Sequence, residues 1–194
     1  AENLCQLFHH NTGLPCVILR TSRFFPEADD DASTRDAFDD DNVKVNELLY
    51  RRADIADMVS AHTSAIDRAA DIGFDRLIVS ATSPFSRHDA ADLGTDAAAV
   101  LARRVPDYLA EYQRRNWRMF DTIGRVYDNA RARRVLAWEP RHNFSEAIDR
   151  LASGQGDPKS LFLSTVEMAA GFWTLPIEEE SKPLTAFVTH RQKY

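Results

Sequence analysis

The chain has 194 residues, 44% of them hydrophobic and 28% charged, a composition that supports a folded domain with its own core and excludes bulk disorder. Its formal net charge of -6 argues against a nucleic-acid partner, because neutralising phosphates needs clustered Lys and Arg. No stretch approaches the roughly 20 apolar residues of a membrane span, no basic-then-apolar leader opens the chain, and Cys5 and Cys16 lack the spacing of a zinc site or the density of a disulfide scaffold, so a reducing, cytoplasmic setting is expected.

Leu4, Leu7 and Phe8 stand at helical spacing over residues 2–11, and Gly13 with Pro15 ends that segment before the apolar run Cys16-Val-Ile-Leu19, which reads as a buried strand. The chain starts on Ala1-Glu2 with no capping signal ahead of the helix, which suggests that a preceding segment is missing. From Phe25 to Asn42 the triplets Asp29-Asp30-Asp31 and Asp39-Asp40-Asp41 stand among few apolar residues, and the expectation is a mobile, solvated acidic loop. The alternating acids, glycine and distant glutamate of a calcium loop are absent.

Ile55, Met58, Val59, His62 and Ile66 form an i, i+3, i+4, i+7 stripe, which predicts an amphipathic helix over about residues 53–70 closed by Gly73, with His62 bonded inside the core. Leu77-Ile-Val79 predicts a strand. Ser86 with Asp89 resembles a capping box ahead of Leu93, Ala97, Val100 and Leu101. Tyr108, Tyr112, Trp117, Phe120 and Tyr127, interleaved with arginines, fit core packing better than base stacking. Asp128 is expected to cap a helix through Leu136, and Asn143 with Glu146 another whose face is Phe144, Ile148 and Leu151. The flexible stretch Ser153-Gly-Gln-Gly-Asp-Pro158 then marks a domain boundary near 158.

Several catalytic signatures do not occur. The seven glycines never form Gly-x-Gly-x-x-Gly, which a dinucleotide pyrophosphate needs for close backbone approach. No Tyr-x-x-x-Lys is present for hydride chemistry; Tyr127 and Arg131 only share its spacing. Gly-x-Ser-x-Gly, His-Glu-x-x-His and the Walker loop are missing as well.

Four short motifs occur in order: Ala1-Glu2, Val17-Ile-Leu-Arg20, Ile55-Ala-Asp57 with Ala61-His62, and Leu136-Ala-Trp138-Glu-Pro140. Together they resemble the C-terminal half of the extended short-chain dehydrogenases, the NAD-dependent epimerases and dehydratases that include UDP-glucose 4-epimerase, over roughly residues 1–155. The resemblance implies an α/β fold: a truncated Rossmann-like domain comprising the C-terminal sheet edge and substrate lobe, residues 1–158. It also implies nucleotide-sugar binding through Arg20, Ser22 and Arg23, in the segment that reads Asn-x-Tyr-Gly-Pro in the family, and through Arg51 or Arg52 as the phosphate arginine. Here Arg23 replaces the amide, the glycine is gone, and Ala137 stands where the family has Leu-Gly-Trp. The resemblance places the catalytic Tyr and Lys and the NAD loop before Ala1, so this chain is expected to bind no cofactor and to be inactive alone. Two alternatives are a residual nucleotide-sugar binding module and an oxidoreductase completed by a separate cofactor-binding half; a homo-dimer is a further possible assembly.

Residues 159–194 resemble a different family, the reverse transcriptases of long-terminal-repeat retrotransposons, through Leu163-Ser-Thr-Val-Glu-Met-Ala-Ala-Gly-Phe-Trp-Thr-Leu-Pro-Ile177 and Lys182-Pro-Leu-Thr-Ala-Phe-Val-Thr189. The resemblance implies a small β-rich tail with Glu167 at the metal-ligand position and Phe172 at the sugar-gating aromatic. A glutamate would displace a magnesium ion that a shorter aspartate holds, and the Tyr-x-Asp-Asp strand is absent, so no metal and no polymerase activity are expected.

Overall fold

The computed structural model describes residues 1–154 apart from Pro26 and Asp30. The boundary near 158, the β-rich tail and Glu167 lie outside the described residues. The fold is mixed α/β. Helix α1 (Glu2–Thr12) leads to strand β1 (Cys16–Thr21), then α2 (Ala32–Ala37), α3 (Asp40–Glu47) and the long α4 (Ile55–Ile72) precede β2 (Phe74–Val79). A 3-10 turn (Arg87–Asp89) follows, then α5 (Ala90–Leu93), α6 (Ala97–Arg104), α7 (Tyr108–Arg115), α8 (Ala130–Leu136) and α9 (Phe144–Ala152).

The two strands pair in parallel from Cys16 opposite Phe74 to Thr21 opposite Val79, and α4 lies in the crossover between them and packs on both. A parallel pair needs such a crossover, because a tight turn cannot return the chain to the same end of the sheet. The Asp54 side chain opens α4 by accepting the Ala56 N–H, and Gly73 at φ 70° closes it. Of the expected stripe Ile55, Met58, Val59, His62 and Ile66, only Met58 is buried in the inward face of α4. Met58, Ala61 and Ala65 are buried, whereas Val59 is 52% and Ile66 77% exposed. Small side chains bring the helix close to the sheet, and the bulkier apolar residues face outward. His62 is likewise exposed, its Nδ1 2.7 Å from the Met58 carbonyl.

Two apolar clusters carry the packing. One lies around the sheet and joins Met58, Ala61, Leu77, Val79, Leu136 and Trp138. The other joins α3, α5, α6, α7 and α9 through Val45, Leu93, Leu101, Tyr112, Phe144 and Leu151. The expected inward faces of α6 and α9 are both found there, although Gly94 separates α5 from α6. Tyr108 and Tyr112 meet edge to face at 4.9 Å, and the Tyr112 hydroxyl donates to Asn46 Oδ1 at 2.7 Å, so these aromatics serve the core.

The acidic stretch is not a solvated loop. Asp31 caps α2 by accepting the Ser33 N–H, Asp39 precedes α3, and Asp29 is buried against arginines. The Ser86–Asp89 capping box forms as expected, and Arg104 reinforces it on Asp89 at 2.7 Å. Asn143 precedes α9 but does not cap it. Its Oδ1 accepts the Thr82 N–H at 2.6 Å and its Nδ2 donates to the Pro140 carbonyl, tying α9 to the loop after β2.

Ala137 ends α8 at φ 48°, a left-handed conformation that costs an L-residue roughly 1–2 kcal/mol and a glycine little. Ala137→Gly is therefore expected to stabilise the protein by about 1 kcal/mol after the greater unfolded-state freedom of glycine is subtracted. Urea unfolding of both proteins checks the sign.

Candidate functional site

The carboxyl ends of β1 and β2 form the centre of the site. Beyond Thr21 the pairing continues irregularly: Ser22 N–H donates to the Val79 carbonyl, and the segment 51–53 slots between Arg23 and Ala81. Arg23 N–H donates to the Arg51 carbonyl, Ala53 N–H to the Arg23 carbonyl, and Ala81 N–H to the Arg52 carbonyl. In parallel α/β structures ligands bind outside the carboxyl ends of the strands.

Two cavities open at this end and share Tyr127 in their walls. The first is an open cleft of about 750 Å³ lined by Ser22, Arg23, Phe24, Glu27 and Arg51. Three of the five residues that the sequence pointed to are therefore brought together. Ser22 is 4% exposed, and its hydroxyl has no hydrogen-bond partner among the described residues. A buried hydroxyl without a partner is uncommon, and here it lies in the wall of a cleft. Arg51 donates through Nε to Glu47 and through Nη2 to Asp29 at 2.7 Å, while Nη1 takes no part in these bonds.

Arg20 and Arg52 do not join them. Arg20, at the end of β1, donates through Nε and Nη2 to both Glu2 carboxylate oxygens, at 2.8 and 2.6 Å, and is absent from the cleft lining. Arg52 is 2% exposed; its Nε donates to Glu47 Oε2 at 2.7 Å and its Nη1 to the Phe25 carbonyl. It is a structural residue that fixes segment 51–53, because a guanidinium buried in that way has its charge met inside the protein.

The electrostatics of the cleft follow from these pairs. Burial works to raise the Asp29 carboxyl, but the Asp31 N–H and the charges of Arg51 and Arg23 outweigh it and hold Asp29 below its ordinary value. Burial pushes the Tyr50 phenol up to about 12, so it stays neutral and does not act as a base at pH 7. Neither strand runs through a glycine turn into a helix, and segment 51–53 caps both with its own backbone bonds.

The sheet-side motifs converge on Asp57, at the start of α4. Its carboxylate accepts the N–H groups of Arg141 and His142 at 2.8 and 2.9 Å, and His142 Nδ1 lies 3.3 Å away. Beside it the Trp138 indole donates to Ser60 Oγ at 2.8 Å. The start of α4 and the segment that carries Leu136-Ala-Trp138-Glu-Pro140 thus lie together. Sequence reasoning assigned no site role to Tyr127, Arg125 or Arg87; their shared position emerges only when the loops 82–87 and 123–130 come together after β2.

Asp57→Ala is expected to destabilise by about 2–4 kcal/mol, because two N–H groups lose a charged acceptor; chemical unfolding measures it. For Asp29 the folded value is depressed, so its contribution is present above the unfolded value and lost as pH falls through the folded one. Unfolding midpoints of the native protein and Asp29→Asn should therefore differ at pH 6 and draw together as the solution is acidified below the ordinary carboxylate range.

No protein-family model, curated protein or solved structure matches the chain, so its function is to be read from its own residues.

Proposed function

We propose that residues 1–154 form the substrate-binding part of a Rossmann-like, NAD-dependent epimerase/dehydratase-type fold and hold a nucleotide sugar at the carboxyl ends of β1 and β2. The observation that carries this reading is the buried, unpartnered Ser22 hydroxyl in a cleft that also presents Arg23 and Arg51. Arg51 supplies donors for the diphosphate through the edge left outside its ion pairs, and Phe24 and Tyr127 supply apolar wall for the sugar or base. The meeting of the Asp57 and Trp138 motifs supports the same reading, since spacing alone would not require these segments to touch.

The role proposed is binding, not turnover. The sequence carries neither Tyr-x-x-x-Lys nor Gly-x-Gly-x-x-Gly, so hydride transfer would need groups and NAD supplied from another chain or segment. The proposed setting is the cytoplasm; among the described residues no helix is long and apolar enough to cross a membrane.

Thermal unfolding with UDP-glucose tests the proposal. Ligand at about 100 times its dissociation constant should add about 2.7 kcal/mol to a cooperative transition, and Arg51→Ala should weaken binding at least about tenfold. A transition unmoved by UDP- and dTDP-sugars would overturn it.

A further inference from the structure

The second cavity, about 510 Å³, lies beyond Tyr127 at the carboxyl end of β2 and has a charge opposite to that of the chain. Three arginines, Arg87, Arg125 and Arg133, and one aspartate, Asp128, line it, in a protein of net charge -6. The arginines differ in what already neutralises them. Arg133 pairs with Glu139, and Arg87 is 94% exposed with Asp128 3.7 Å away. Arg125 stands exposed in the cavity wall and takes no part in an ion pair or side-chain hydrogen bond among the described residues. The arginines of the first cleft, by contrast, are already engaged by Asp29 and Glu47.

The neutral groups of the wall are also arranged to donate. Asn129 is buried and donates through Nδ2 to the Ser80 carbonyl at 2.9 Å and to Thr82 Oγ1 at 3.0 Å. The Thr82 hydroxyl thus accepts from Asn129 and keeps its proton for another acceptor. Ser83 Oγ likewise accepts the Phe85 N–H at 3.2 Å and keeps its own proton. Thr82 is held in place by its N–H bond to Asn143, while Leu93 and Ile123 form an apolar floor. Two hydroxyl donors and an uncommitted guanidinium around one cavity are the recognition chemistry of an oxyanion, since the planar fork matches carboxylate or phosphate oxygens.

We propose that this cavity is an oxyanion-binding subsite, in which Arg125, assisted by Arg87, Thr82 and Ser83, holds a phosphate or carboxylate borne by a small polar ligand. The subsite does not depend on the nucleotide-sugar reading of the first cleft. Asp128 sets its selectivity: it repels a second negative charge at the rim near Arg87 and leaves Arg125 as the principal anchor.

Isothermal titration of the full chain with inorganic phosphate, with glucuronate and with neutral glucose tests this. Both anions, or one of them, should bind and glucose should not. Preference for phosphate assigns a phosphoryl ligand and preference for glucuronate a carboxylate. Arg125→Gln should weaken anion binding about tenfold or more, Arg87→Gln less, and Arg134→Gln, an exposed arginine outside the cavity, not at all. Unchanged melting temperatures would establish that these surface variants remain folded. Arg51→Ala should leave phosphate binding intact, which separates this subsite from the first cleft. Glucose binding as tightly as glucuronate, affinity unchanged in Arg125→Gln, or no anion binding at all would each overturn the proposal.

Discussion

The site depends on a buried charge. Glu47, at the end of α3, is fully buried and accepts from Arg52 Nε and from Arg51, while its backbone carbonyl accepts the N–H groups of Tyr50, Arg51 and Arg52. Side chain and main chain of one residue thus fix the direction in which the chain leaves α3. The consequence is segment 51–53, laid between Arg23 and Ala81 at the strand ends, with Arg51 turned toward the cleft and Arg52 turned inward. Two charges taken out of water are tolerable only as a pair. Removing one partner of such a pair typically costs about 3–5 kcal/mol, because the other is left buried and uncompensated. The cleft therefore exists because a charge pair that could have lain on the surface was placed inside.

The parts of the fold that were legible in the sequence are those specified locally. The capping box of Ser86 and Asp89, the end of α4 at Gly73 and the Phe144-Ile148-Leu151 face of α9 all follow from residues a few positions apart. What was illegible depended on distant partners. Asp29 looked like part of a solvated run, but it meets Arg23 and, 22 positions away, Arg51, and counting acids without their partners makes an ordered segment look disordered. The stripe on α4 was misread for a related reason: periodicity finds apolar residues, but a close helix-sheet contact selects small ones, so Ala61 and Ala65 are inside and Ile66 is outside.

The same division holds at the site. Ser22, Arg23 and Arg51, singled out through motif order, line one cleft. Arg20 and Arg52 were indistinguishable from them in sequence, because what sets each apart from that cleft is the carboxylate it meets, Glu2 for one and Glu47 for the other. Arg125 carried no local signal. Asp128 is near it in sequence, yet lies against Arg87 once the chain is folded, and the position of Arg125 in an irregular stretch offers no periodicity to read. An arginine in a cavity without a partner among the described residues is a property of the fold rather than of the sequence.

Net charge is a poor guide to such a site, because acids and bases are not distributed alike. Most of the described arginines are consumed in pairs that stitch elements together, as with Arg104 and Asp89 or Arg131 and Asp75. Screening over about 8–10 Å in physiological salt means that an incoming anion responds chiefly to the few charges nearest it. The hydrogen bonds that hold the Thr82 corner of the second cavity run back to the sheet: Asp57 on α4 to the N–H groups of Arg141 and His142, Asn143 to the Pro140 carbonyl and to the Thr82 N–H, and Asn129 to Ser80 and Thr82. Each member satisfies a backbone group that an irregular loop would otherwise leave to solvent. The loop after β2 is thereby fixed from two directions, by α9 and by the start of α8, and the Thr82 hydroxyl of the second cavity is set before any ligand arrives. Preorganisation of this kind limits the entropy lost on binding, and it makes Asp57, which lines neither cavity, part of what shapes the second.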